Sequence, residues 1–143
     1  MGSKVFDNIG VLIHNVDLEI TQYLKRQLAP YRLAPEQHLI LALLMEGEGM
    51  SQNTIAEQLG KDKSSITRMI VSLEGKGYIR RKGSPYDRRS VEVYLTDKGK
   101  ELKDVVNTIS KTTRELLNNG LTEEETSELI KLLGKVRGNV RQV

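Results

Sequence analysis

The chain has 143 residues, 38% of them hydrophobic and 29% charged, with one Phe, no Trp and no Cys. A chain of this length fits one domain that takes roughly 70% of its unfolded surface out of water; its core has to be aliphatic, and the lack of cysteine excludes a disulfide framework, a thiolate zinc site and a thiol redox sensor. The net charge of +3 is modest, but residues 61–90 hold nine Lys or Arg against three acids, +6 in that segment and −3 over the rest, which points to a polyanion meeting one segment.

The opening Met1-Gly2-Ser3 resembles an N-myristoylation start, but Phe6 stands where Ser or Thr is required. No apolar run approaches the roughly 20 residues of a membrane span, and the N-terminal stretch lacks the apolar core of a signal peptide, so an unanchored cytoplasmic protein is expected. Val5, Ile9, Leu12, Val16, Ile20, Tyr23 and Leu28 recur at near-helical spacing, predicting one amphipathic helix from residue 4 to about 28. Pro30 ends it, having no N–H for the next helical bond.

Pro35 suits the first position of a second helix with Leu39, Ile40, Leu43 and Leu44 as its buried stripe, closed by Gly47 and Gly49. Ser51 is a good N-cap for a short third helix bearing Ile55 and Leu59, which Gly60 stops. Asp62 caps a fourth helix with Ile66, Met69, Ile70 and Leu73 on one face, interrupted at Gly75 and Gly77. From Tyr78 the period changes. Residues 78–82 and 91–95 read as strands around the eight-residue loop Gly83 to Ser90, a hairpin with a long tip. Thr96 caps a fifth helix carrying Leu102, Val105, Val106, Ile109, Leu116 and Leu117 to Asn118-Asn119-Gly120. Thr122-Glu123-Glu124-Glu125 opens a sixth as a capping box, with Leu129, Leu132, Leu133, Val136 and Val140 as its seam. No repeat or independent linker interrupts this order.

The fold class this predicts is mainly α with a small β-hairpin wing: two short helices joined at a Gly and followed by a basic hairpin match a winged helix-turn-helix. At 100° per residue Ser64 and Arg68 lie about 200° from Ile66, away from the face that must be buried, with Lys63, Ser65 and Thr67 flanking them. Arg can pair bidentately with guanine, and Ser and Thr can contact bases or phosphates. A solvated surface helix would carry similar residues. Half of the hairpin loop reaches at most about 13 Å, enough to take Arg88 or Arg89 toward a neighbouring minor groove, with Lys82 behind them and Asp87 placed to brace Arg89 through a carboxylate–guanidinium pair. An isolated Asp-Arg-Arg would read as a flexible charged turn. After two such helices the DNA-contacting reading is favoured.

The chain is similar to the MarR family of winged-helix transcriptional regulators. The resemblance runs from Leu33-Ala34-Pro35-Glu36-Gln37 through Ile55-Ala56-Glu57-Gln58-Leu59-Gly60-Lys61-Asp62-Lys63-Ser64-Ser65-Ile66-Thr67-Arg68 to Leu73-Glu74-Gly75-Lys76-Gly77-Tyr78-Ile79-Arg80-Arg81, and its most specific piece is Asp87-Arg88-Arg89 followed by Leu95-Thr96-Asp97-Lys98-Gly99. It implies that Asp62 to Lys76 is the recognition helix, that Arg89 is offered to the minor groove, and that the first, fifth and sixth helices form a homodimer interface. On that reading residues 1–143 form a single domain, with a DNA-binding lobe at 32–96 and dimerisation helices at 4–28 and 97–141. Apolar stripes outside the helix-turn-helix unit independently favour a dimer, which sets two recognition helices about one DNA turn apart on a pseudo-palindromic double-stranded operator. Repression is the sign the family implies. Ala34 departs from the family's usual Thr, so the second helix is expected to start more loosely.

The resemblance also implies a small aromatic or anionic effector, bound between the dimer-forming helices and the DNA-binding lobe, that releases DNA. Tyr23, Tyr31, Arg32, His14 and His38 are the candidate lining, each equally explained as packing or surface, so the effector-binding residues stay undefined. No cofactor or metal is expected. An enzyme is disfavoured, since no Gly-x-Ser-x-Gly elbow, His-Glu-x-x-His pair, phosphate-binding Gly-Lys-Ser/Thr loop or catalytic cysteine is present. The alternative is a winged helix that binds protein or RNA without operator specificity, whose binding would not prefer a palindromic duplex.

Overall fold

The computed structural model describes residues 4–143, so the Met1-Gly2-Ser3 opening lies outside the described residues. The predicted first helix is divided. Lys4–Asp7 forms a 3-10 turn, Asn8 is extended with its side chain accepting the Gly10 N–H at 2.8 Å, and α1 runs Ile9–Leu28. The asparagine supplies a local partner for a backbone donor and so starts the helix afresh. Beyond Leu28 the chain passes through a 3-10 turn, Ala29–Tyr31, and Arg32 in the left-handed region at φ 55°.

Helix α2 spans Pro35–Glu46. Its buried arc holds Gln37, His38, Ile40, Leu41 and Leu44, whereas Leu39, expected inside, is 46% exposed. Leu39 lies about 200° from Gln37 around the helix, opposite the direction that Gln37, Leu41 and Leu44 share; two polar residues take the inward places. Ala34 cannot cap with its own side chain, but Gln37 Oε1 accepts the Ala34 N–H at 3.0 Å, so one half of a capping box survives the departure from Thr.

A strand that was not predicted, β1 (Met50–Ser51), precedes α3 (Gln52–Leu59), α4 (Lys63–Gly75), β2 (Ile79–Gly83) and β3 (Val91–Leu95). The wing hairpin pairs antiparallel from Ile79 opposite Leu95 to Gly83 opposite Val91, and β1 adds to the other edge of β3 through Met50 opposite Val93. The order is β1-β3-β2, a three-stranded sheet where a hairpin alone was expected. Ser51, Asp62 and Thr96 cap α3, α4 and α5 (Asp97–Lys100) as expected. The predicted fifth helix is two, α5 and α6 (Lys103–Asn118), followed by α7 (Glu123–Arg141) behind the Thr122/Glu125 capping box. The fold class stands as mainly helical with a small sheet.

Two compact units divide the chain, Met1–Thr108 and Ile109–Val143. In the first, Leu28, Ile40, Leu41, Leu44, Ile55, Ile66, Ile70, Leu73 and Val93 are fully buried, and α2, α3, α4 and the sheet pack on one another. This aliphatic core fixes α4 by its Ile66, Ile70 and Leu73 face and leaves its opposite face outside.

Candidate nucleic-acid interface

The first turn of α4 is built from its cap. Asp62 Oδ1 accepts the Ser65 N–H at 2.7 Å, Oδ2 accepts the Ser65 hydroxyl at 3.2 Å, and Arg68 Nη2 donates to Ser65 Oγ at 3.3 Å. The Ser65 backbone bond, then its hydroxyl, and the Arg68 charge hold the Asp62 carboxyl below the usual carboxylate range. Lys63, Ser64 and Arg68 are exposed on the outer face, as the helical arithmetic required. Ser65 and Thr67 are half-buried with their hydroxyls engaged within the protein, Ser65 by Asp62 and Arg68, and Thr67 Oγ1 by donating to the Lys63 carbonyl at 2.8 Å and accepting from Gln52 Nε2 at 3.3 Å. Thr67 therefore ties α4 to α3. Gln52 was missed by the sequence reading because a Gln in a first helical turn looks like any surface residue.

The wing loop is ordered by its own short side chains. Ser84 Oγ accepts the N–H groups of Tyr86 and Asp87 at 3.2 and 3.3 Å, and Asp87 Oδ1 accepts the Arg89 N–H at 2.9 Å. Backbone bonds from Ser84 to Ser90 and from Ser90 to Asp87, both 3.0 Å, close the loop. The expected pair between the Asp87 carboxylate and the Arg89 guanidinium is not formed: a short Asp side chain reaches the N–H two residues on before it reaches a long side chain, the Asx-turn preference. Asp87 thus shapes the backbone, while Lys82, Arg88 and Arg89 are exposed.

Three other basic residues of the segment are engaged within the fold. Lys76 Nζ donates to the Arg32 carbonyl and to Gln37 Oε1, and Gln37 Nε2 donates to Ser72 Oγ at 3.0 Å, binding the end of α4 to the start of α2. Arg81 meets Glu74 at 3.0 Å, the only ion pair among the described residues, and its hydrogen bond holds the Glu74 carboxyl below its usual range. The Arg80 guanidinium sits 4.8 Å from the centre of the Tyr94 ring. The Tyr94 hydroxyl donates to Glu92 Oε2 at 2.6 Å, a bond that pushes the phenol pKa up.

The MarR family model matches residues 33–91, which run from just before α2 through the wing loop into β3. The organic hydroperoxide resistance transcriptional regulator of Bacillus subtilis is 34% identical over 101 residues, 71% of this chain and 69% of that protein. The chain belongs to the MarR family. Another relative, the HTH-type transcriptional regulator TtmR of Methylorubrum extorquens, is 34% identical over 110 residues; these are 77% of this MarR-family chain and 55% of TtmR, so the chain spans about half the length of that relative. Among solved structures, the transcriptional repressor CouR bound to a 23-mer DNA duplex superposes with a TM-score of 0.82 at 28% identity, covering 94% of this chain and 96% of that one. The chain is a MarR-family transcriptional regulator. No helix among its described residues is long and apolar enough to cross a membrane.

The candidate effector residues of this MarR-family chain are less unified. His14 is exposed and Tyr23 half-buried on α1, Tyr31 and Arg32 are exposed after it, and His38 is buried in α2 with Nε2 donating to the Val106 carbonyl at 3.2 Å. A cavity of about 340 Å³ in this unit is lined by Leu44, Met45, Glu48, Leu95, Lys100 and Lys103, none of those five.

Proposed function

We propose that this regulator acts in the cytoplasm as a homodimeric repressor of a pseudo-palindromic double-stranded operator. Residues 32–96 serve as the DNA-binding lobe, and the helices within 4–28 and 97–141 form the dimer. The exposed N-terminal half of α4 carries the reading: Lys63, Ser64 and Arg68 stand on the face opposite Ile66, Ile70 and Leu73, in the segment of +6 charge. In a helix-turn-helix this end enters the major groove. Arg68 supplies the bidentate base contact, Lys63 and Ser64 the phosphate or base-edge contacts beside it, and Ser65 and Thr67 hold the turn in shape. Lys82, Arg88 and Arg89 meet the adjoining backbone and minor groove, with Asp87 setting the loop. A small aromatic or anionic effector changes the spacing of the two reading helices, since α5 begins immediately after the Thr96 cap that follows β3.

The test is a selection of duplexes from a random pool, followed by anisotropy titrations on selected and scrambled sequences at several salt concentrations. Arg68→Ala costs about 1–3 kcal/mol per half-site on the selected duplex and little on the scrambled one. Arg89→Ala weakens both and lowers the salt slope by about two ions, one per protomer. If both variants bind like the parent, the assigned surface is wrong.

A further inference from the structure

Tyr86 is 95% exposed at the tip of the wing. Two other tyrosines sit against cations, Tyr94 under Arg80 and Tyr78 under Lys98. The backbone at Tyr86 is fixed, because Ser84 Oγ accepts its N–H and that of Asp87, and Asp87 in turn holds the Arg89 N–H. A preorganised loop therefore presents an uncovered aromatic ring in the same short run as two exposed guanidinium groups, Arg88 and Arg89. Nothing in the free protein is stabilised by leaving that ring in water; its apolar area is available to a partner.

The flanking charge decides the partner's class. Arginines that enter a narrow minor groove lie between two walls of deoxyribose, apolar surfaces edged by phosphates. We infer that Tyr86 packs its ring on the deoxyribose wall of the minor groove beside the arginines of the wing, and is a DNA-contact residue of this chain in its own right. The inference rests on the wing placement proposed above. Its physical signature differs from that of the arginines: a neutral ring displaces no counterions, so its contribution to affinity is independent of salt, whereas each arginine on a phosphate adds to the salt slope.

The experiment compares the parent, Tyr86→Ala, Tyr86→Phe and Arg89→Ala on a duplex that the parent has selected from a random pool, across a salt series. Tyr86→Ala is expected to bind roughly tenfold or more weaker at every salt concentration with the parent's slope, as loss of a half-buried ring implies. Tyr86→Phe binds like the parent, because the ring and not the hydroxyl makes the contact. Thermal melting confirms that the variants keep the parent's fold. If Tyr86→Ala binds like the parent while Arg89→Ala does not, the inference fails and the wing placement survives. If neither variant loses affinity, the wing placement itself fails. Equal losses for Tyr86→Ala and Tyr86→Phe would assign the contact to the hydroxyl and overturn the ring packing.

Discussion

His38 shows how one buried polar group sets a pH limit on the fold. It is 5% exposed, its Nε2 donates to the Val106 carbonyl at 3.2 Å, and burial lowers its pKa from the ordinary 6.5, the Val106 bond opposing this. In the unfolded chain the ring takes up a proton as pH falls through about 6.5, while in the folded chain it resists until lower pH. Between those points the unfolded chain binds more protons, so stability is fully present above the ordinary value, declines as pH falls and levels off below the folded value. The melting temperature is therefore expected to fall between about pH 8 and about pH 5, and His38→Gln, which removes the titrating ring, flattens that part of the profile; equal slopes in parent and variant would exclude the group. At this scale the sequence was informative wherever direction is fixed by a helix. Arg68 and Ser64 point outward because Ile66 must point in. It was uninformative where a partner comes from elsewhere: the Thr67 hydroxyl is held by Gln52, 15 positions away, and Asp87 chose a backbone N–H over a guanidinium.

Among the elements, the passage from wing to helix leaves no room for a side chain at Gly99. A Cβ on Gly99 would collide with the Tyr78 carbonyl oxygen and stand 3.3 Å from Leu95 Cδ2. The approach is closed by Thr96, whose N–H donates to that same carbonyl at 3.0 Å and whose Oγ1 accepts the Gly99 N–H at 3.0 Å. Helix propensity favours Ala over Gly by about 1 kcal/mol, but here backbone would have to move. Gly99→Ala is expected to destabilise by about 1–3 kcal/mol or more, read as a lower denaturation midpoint. Gly75→Ala, where nothing lies within 4 Å, leaves stability unchanged or slightly higher. Midpoints that shift alike would remove the steric account. Helix starts were legible because an N-cap acts within three residues, as at Ser51, Asp62, Thr96 and Thr122. Strand β1 was not, since two residues have no period and Met50 becomes a strand only by pairing with Val93, far along the chain. Leu39 misled because its hydrophobicity was counted without the Gln37 and His38 that occupy the inward arc.

Across the whole molecule, apolar surface is unevenly distributed: one unit buries an aliphatic core, and the other leaves its apolar stripe exposed. The unit Ile109–Val143 has Ile109 as its only buried residue among the described residues, while Leu129, Leu132, Leu133 and Val140 on α7 are 48%, 45%, 42% and 70% exposed. Helix α1 likewise exposes Ile9, Leu12 and Val16 at 60%, 51% and 50%. Apolar stripes of this length on helices are usually covered in a stable protein, and in the homodimer proposed above a second copy would cover the α7 stripe. Leu132→Glu combined with Leu133→Glu places charge on the α7 stripe without opening the core of the other unit, so the variant is expected to keep its helical circular dichroism while sedimenting as a monomer. A monomer engages one half-site at a time, and loss of the linked second contact lowers operator affinity by roughly a hundredfold or more. A variant that remains dimeric would move the interface elsewhere. One that is monomeric yet binds the selected duplex as tightly as the parent would show that paired reading heads are not what holds this regulator on DNA.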